Sequence, residues 1–440
     1  MSGRVRSAYG PLFRNANYLR VFFAGLGSVA GSAIAEICVV WLVAEKTGSA
    51  LDIGLLATSW VVSALAFSVF GGTIVDRYDR RRLMIGSDAA RAAAMAAVTV
   101  ELAVRGFDLY SLLGAYAIVG AFTTIFSPAE RALIPQLVEG SHVADANGLV
   151  QSSRSALQFV GSAVAGVLLV TVGPVGGLGA NAATFALSAV LLTGMRLSTP
   201  REPAGRDGRS SYFADVAAGF RWLGNAKGFL QLTVSATFFN FFFGVVATFL
   251  VFFTTRVIHG GALDYALMLA TEVAGGALGA LLVGRVGAVR WAGLAWTVPY
   301  GVLSGAVIVA LALWPSLPVA LLVLFALGAL GGFAGTAWLS AAQLLVPTEM
   351  QGRYFGVDNL GSIAILPAAQ LGGAFLIAYY GTRPTYLVVG VLWMVMGLVF
   401  LVPRALREVR YLGPKEGPVT PRTAGAEAGT SGSPEGTRDG

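Results

Sequence analysis

Long apolar stretches alternate with short polar interruptions along most of the chain, and the interruptions carry nearly all of the charge. Leu51 to Val75 holds one charge, Asp52, at its edge. Runs of about 20 apolar residues match a hydrocarbon core of roughly 30 Å. The pattern predicts twelve membrane spans, over 21–43, 53–75, 83–104, 109–127, 148–170, 177–195, 229–253, 265–284, 291–312, 318–345, 357–379 and 385–403. The expected fold class is an all-α polytopic membrane protein. Its expected organisation is a six-helix bundle over 1–195, a linker over 196–228, a second six-helix bundle over 229–403 and a tail over 404–440.

The linker has two parts. Its first, "STPREPAGRDGRSS", reads as flexible chain. In its second, "YFADVAAGFRWL", Tyr212, Phe213, Val216, Phe220 and Leu223 fall near one helical face, which predicts a short helix lying on the membrane surface. The tail is Gly, Pro, Thr, Ser and Glu, a composition that buries no core and is expected to be disordered.

Composition supports the membrane reading: 56% of residues are hydrophobic and 12% are charged, against roughly 25% charged in a soluble domain. The single cysteine, Cys38, excludes an intrachain disulfide framework, and two separated histidines make no His-rich metal site. Four arginines precede Val21 as in a secretory signal, but the apolar run continues to about Val43, which is too long for a signal core; it reads as a retained first span. Lys46, Arg105, Arg256 and Arg383 occupy loops on one side, Arg91 and Arg154 lie within spans, and the other 24 of the 30 Lys and Arg lie on the opposite side. That bias places both termini in the cytoplasm. It also accounts for the net charge of +7 without nucleic acid, because the positive charge is spread over loops rather than gathered in a patch.

A faint repeat joins the halves. "ERALIPQLVEGSHVADANGL", Glu130 to Leu149, is similar to "AAQLLVPTEMQGRYFGVDNL", Ala341 to Leu360, and the two lie six spans apart. Two similar halves related by an axis along the membrane normal leave a central cavity between them.

The densest charge lies between spans two and three. In "GGTIVDRYDRRRLM", six of the seven residues from Asp76 to Arg82 are charged. Gly72, Asp76, Arg77, Arg80 and Arg81 resemble the signature between spans two and three of the major facilitator superfamily, with Asp79 where a second Gly is usual. The stretches "WLVAEKTGS", "ANGLVQSSRSALQFVGSAVAG", "NAATFALSAVLL", "GFRWL" and "QGRYFG" are similar to the branch that contains enterobactin and macrolide exporters, and the likeness covers most of residues 14–410. In "GSAVAG", Ser162 stands where that branch tends to have Pro.

The charged loop reads as a topogenic signal or as a latch. In the latch, Asp76 binds the N-terminal end of a neighbouring helix, where unpaired N–H groups favour an anion. The resemblance implies span eleven, starting near Val357. The arginines then meet acids at other inner ends, Asp88 and Asp358, and hold the inner gate closed. Asp88 and Arg91, three apart on one face, and Arg154 in span five are expected to form a structural ion-pair network. Binding of an anionic substrate by Arg154 is the alternative.

Ionisable groups inside spans are functional hypotheses by default. Glu36 in span one and Glu272 in span eight are lone acids in apolar stretches, and belong to opposite halves. They are expected to face each other across the cavity, as proton-exchanging groups or as satisfied structural acids. In span seven, Asn240 needs a partner in hydrocarbon, so Phe239, Asn240 and Phe243 are expected to line a cavity suited to amphipathic organic molecules.

No "GxxxxGK[ST]" loop, Ser–His–Asp set or metal-ligand cluster occurs, so ATP-driven pumping and enzyme readings fail. The expectation is a monomeric secondary transporter of the plasma membrane that exports drug- or siderophore-like compounds against proton entry, with no cofactor. Proton-coupled uptake, and a lipid-moving or sensory membrane protein on the same fold, are the alternatives.

Overall fold

The computed structural model describes residues 10–195, 212–287 and 292–402; within these, the side chains of 69–73, 76, 77, 155, 158–160 and 212–216, among others, lie outside the description. The flexible part of the linker and the tail therefore lie outside the described residues. All regular structure among the described residues is helical.

Spans one to six are Ala16–Thr47, Ala50–Arg77, Arg80–Val104, Leu109–Leu137, Val143–Thr171 and Gly173–Thr193. A linker helix, Tyr212–Asn225, precedes span seven, which runs from Lys227–Thr248 through Leu250–Phe252 into a π-helical turn, Phe253–Ile258. Span eight is Ala262–Val286. Span nine joins Ala292–Ala295, a π-helical stretch Trp296–Leu303 around Pro299, and Ser304–Leu313. Span ten is Leu317–Leu345, span eleven is Thr348–Ala364 followed by Leu366–Tyr380, and span twelve is Thr382–Leu401. Eleven of these are long and apolar enough to cross a membrane. The fifth, Val143–Thr171, packs among them against spans one and eight.

Polar side chains start the first four spans. Asn15 accepts from the N–H groups of Asn17 and Tyr18, Ser49 from Asp52 N, Asp79 from Arg82 N and Asp108 from Ser111 N. Each satisfies an N–H that the first helical turn leaves unpaired. Span four runs ten residues past the expected end at 127, through Pro128 and Pro135 to Leu137. Those prolines cost backbone hydrogen bonds without ending the helix, because packing on spans two and three holds it. Span eleven starts at Thr348, nine residues before the expected Val357.

Close approach in the second half rests on glycine. A Cβ at Gly275 would lie 2.0 Å from Phe325 O in span ten, and one at Gly328 would lie 1.9 Å from Glu272 O in span eight. Small residues at such crossings let backbones touch, which is how helices associate where lipid supplies no hydrophobic drive.

The linker helix forms as expected but docks onto span eleven. A Cβ at Gly219 would fall 2.8 Å from Arg353 O, Leu223 is buried, and the Trp222 ring lies edge-on to Tyr354 at 5.7 Å. Phe220, expected on the face turned to the membrane surface, is exposed. The docking stripe is thus set by the small Gly219 beside Trp222 and Leu223. The side chains of Tyr212, Phe213 and Val216 lie outside the description.

The two bundles meet mostly toward one face, the face that carries Gly48. There Arg256 donates to Gly48 O, Thr58 Oγ1 bonds Gln370 Oε1 at 3.2 Å, Trp41 packs on Tyr265 at 6.0 Å, and Gly166 abuts Ala266.

Candidate functional site

Four charges of the first bundle form one buried network. Arg91 on span three bonds Asp88 one turn earlier, and Ser188 of span six donates to the other oxygen of Asp88. The Arg91 guanidinium sits 4.6 Å from the Phe126 ring centroid and 4.4 Å from that of Phe185, so it lies over two π-systems. Arg154 of span five bonds Glu130 of span four, and Glu130 interacts electrostatically with Asp88 and Arg91. A Cβ at Gly25 would lie 2.3 Å from Glu130 Oε1, so span one gives the pair its room by lacking a side chain there. The expected ion-pair network therefore exists with an additional member. Glu130 was assigned to a loop because span four was ended too early; its place one turn beyond an apolar run was the available signal. Arg154 gives its Nη2 to Glu130, and its Nε is buried without a hydrogen-bond partner among the described residues.

The charged loop is built into helix ends. Asp79 Oδ1 accepts from Arg82 N at 2.8 Å and starts span three. Arg80 Nη1 donates to Ala132 O at 2.9 Å, and Arg81 donates to Leu192 O and Thr193 O, the last carbonyls of span six. A cation at a helix C-terminus meets unpaired carbonyls and the negative end of the dipole. Of the arginines expected to meet Asp88 and Asp358, Arg80 and Arg81 take these backbone carbonyls; among the described residues Asp88 is held by Arg91 and Ser188, and Asp358 accepts from Thr233 Oγ1 at 3.2 Å. Val357 lies inside a helix, so no N-terminus is offered to Asp76 there. The side chains of Asp76 and Arg77, and the surroundings of Gly72, lie outside the description.

The central acids come from opposite bundles. Glu36 is exposed on span one, on a helix otherwise buried around it at Ala35, Ile37 and Cys38. Glu272 is half-buried on span eight. Tyr265, two turns before Glu272 on the same face of span eight, interacts electrostatically with both acids, and Tyr116 of span four interacts with Glu36. Tyr300 and Tyr386 interact with Glu272. No cationic side chain figures in the electrostatics of either acid among the described residues. The arrangement is a pair of acids sharing one tyrosine across the cleft, edged by Trp41.

Span seven departs from expectation. Phe239 is fully buried, with Trp296, Tyr300 and Phe400 within 6.1 Å of its ring centroid. It is a core residue of the second bundle, with Gly301 of span nine presented to its ring. Asn240 and Phe243 are half-buried.

The family model described as Major Facilitator Superfamily matches residues 21–369. The chain belongs to that superfamily. It is a multi-pass membrane transporter. It is 26% identical over 407 residues to the multidrug efflux pump Tap of Mycobacterium tuberculosis, covering 88% of this chain and 94% of the relative. It is 27% identical over 267 residues to macrolide efflux protein A of Streptococcus pyogenes, covering 59% of this chain and 64% of the relative. Among solved structures, a bacterial homolog of the human lysosomal transporter Spinster, in an inward-facing and unoccupied conformation, superposes with a TM-score of 0.69 at 14% identity, covering 91% of this chain and 99% of that one. The nucleoside transporter NupG superposes with a TM-score of 0.71 at 9% identity, over 88% and 99% of the two chains. The fold expected from the spans and the charged loop is the fold found.

Proposed function

We propose that this chain is a proton-driven exporter of amphipathic organic compounds, working as a monomer by alternating access in the plasma membrane, with both termini in the cytoplasm. The observation that carries the reading is the placement of Glu36 and Glu272 on opposite bundles beside one shared tyrosine, with no fixed cation in the electrostatics of either acid. A carboxylate without a resident cation can trade a proton for a cationic or polar ligand, and a shared site makes the two compete. The aromatic edge of Trp41, Tyr116 and Tyr265 suits a hydrophobic cation. The similarity to proteins named as efflux pumps supports the direction.

The test uses purified protein in vesicles with an imposed pH gradient and a panel of cationic amphipaths. Wild type should move substrate uphill, and binding in detergent should release about one proton per engaged carboxylate. Glu→Gln at the coupling position should abolish gradient-driven movement, while Glu→Asp keeps part of it. Uphill transport by the Glu36→Gln, Glu272→Gln double variant would remove both residues from the coupling role.

A further inference from the structure

The last turn of span six is met by arginines from two other spans. Arg81, at the start of span three, donates from Nε to Leu192 O at 3.0 Å and from Nη2 to Thr193 O. Arg20 of span one reaches the next residue: a Cβ at Gly194 would lie 3.2 Å from its Nε. Its Nη1 donates to Asn17 Oδ1, one turn earlier on its own helix, at 3.2 Å.

Packing brings the two together. Spans one and three both run along span six. Spans one and six are antiparallel in a single register, because a Cβ at Gly177 would strike Cys38 Sγ and one at Gly31 would strike Thr184 Oγ1. The same register carries Arg20 to Gly194.

The oxygens that these arginines meet are carbonyls and an amide, which take an N–H without cancelling a charge. Each guanidinium keeps its full positive charge and a planar fork of donors. A helix C-terminus offsets about half an elementary charge, less than the two arginines bring. Asp79 and Arg82, in the adjoining turn of span three, are exposed and of opposite sign. Two forks at one helix end match the oxygens of a phosphate.

Deeper in the membrane the same surface is apolar. Phe23 lies one turn along span one from Arg20, and Val190 and Leu187 lie one and two turns before the end of span six; all three are exposed. The register sets Phe23 level with Val190 and Leu191. Cationic heads above an apolar strip fit the boundary between headgroups and acyl chains.

We propose that the end of span six beside the charged loop binds an anionic phospholipid, with its phosphate between Arg20 and Arg81 and an acyl chain along Phe23, Val190 and Leu187. The site is separate from the central acids, and its occupation does not depend on whether Glu36 and Glu272 couple transport to protons.

The experiment titrates delipidated full-length protein in detergent with phosphatidylglycerol or phosphatidylcholine of the same acyl chains, and follows the complex with a single lipid by native mass spectrometry. Wild type should bind phosphatidylglycerol about tenfold or more tightly than phosphatidylcholine. Arg20→Gln should lower the phosphatidylglycerol affinity about fivefold, and Arg20→Gln with Arg81→Gln should bring the two lipids within about twofold of each other. Arg285→Gln removes the same charge from an exposed position at the end of span eight and should leave the preference intact. Glycerol phosphate and inorganic phosphate, at the lipid's concentration, should not displace the bound lipid. Should Arg81→Gln fold poorly, Arg20→Gln alone keeps the test, because the described hydrogen bond of Arg20 stays within its own helix. The proposal is overturned by equal affinity of wild type for the two lipids, by a preference that survives loss of both arginines or is unmoved in Arg20→Gln, by an equal loss in Arg285→Gln, or by displacement with inorganic phosphate, which would make the arginines a site for free anions.

Discussion

The first bundle buries its charges in pairs, whereas the second buries an acid among hydroxyls and aromatic rings. Asp88 and Glu130 each hold an arginine. Asp358 accepts from Thr233 and interacts electrostatically with Tyr354, whose ring packs on Phe355. The internal repeat makes the contrast direct: Glu130 aligns with Ala341, and the same offset carries Arg154 onto Ile365. Deeper in the second bundle, Phe239, Trp296, Tyr300, Phe242 and Trp393 form a continuous aromatic core. One fold is thus held by two kinds of interaction. Paired charges fix side chains in one geometry, because separating them leaves a buried charge exposed to apolar surroundings. Aromatic packing lacks that penalty and tolerates the two π-helical stretches of spans seven and nine, a feature frequent at functional sites.

The contrast can be broken most severely at Arg91. Arg91→Leu strands Asp88 and should cost about 3–5 kcal/mol of unfolding free energy. Converting Asp88 and Arg91 together to apolar residues should recover most of that loss in denaturant unfolding of detergent-solubilised protein. A double variant as unstable as the single would mean that the bundle needs the charges themselves. A gentler version copies the second half onto the first. Glu130→Ala or Arg154→Ile alone should destabilise by about 3 kcal/mol, and the two together by about 1 kcal/mol or less.

Smaller effects are expected where the bundles touch. Arg256 donates to Gly48 O and lies 3.9 Å from the Phe252 ring centroid, but is exposed. Arg256→Ala should shift the balance of the two bundles by about 0–1 kcal/mol, read as faster thiol labelling of Leu51→Cys on that face. Unchanged labelling would remove Arg256 from the contact that closes it.

The smallest effect concerns Asp108, which caps span four. Hydrogen bonds from the Ser111 hydroxyl and N–H hold its carboxyl below the usual carboxylate range. A depressed folded-state pKa gives stability that is present above the unfolded pKa and is lost as pH falls through the folded value. Asp108→Ala should therefore lower the thermal midpoint slightly at neutral pH, and the difference from wild type should vanish in strong acid. A difference that persists there would assign the effect to packing.

Much of the fold was legible because hydrocarbon thickness and backbone hydrogen bonding leave few options for a chain with these apolar runs. The candidate site was legible in part. Glu36 and Glu272 stood out as lone acids, and Asp88 with Arg91 as a one-turn pair. Glu130 was hidden by Pro128, which reads as a helix end although packing carries the helix through it. Phe239 and Phe243 sit four apart in an identical aromatic run, yet one is core and the other half-buried, a difference set by Gly301 on another helix.

By itself the sequence determined the all-helical membrane architecture, the two-bundle repeat, the charge bias between faces and the superfamily. Each follows from local quantities: the length of an apolar run, the position of a cation, the spacing of a motif. Only the tertiary structure decided which charges are partnered and where the linker helix docks. Those depend on side chains that meet from distant parts of the chain, Arg154 with Glu130, Gly219 with Arg353, Arg256 with Gly48. Helix packing brings such groups together through the absence of a Cβ or the reach of a guanidinium, and neither property has a period that can be read along the chain.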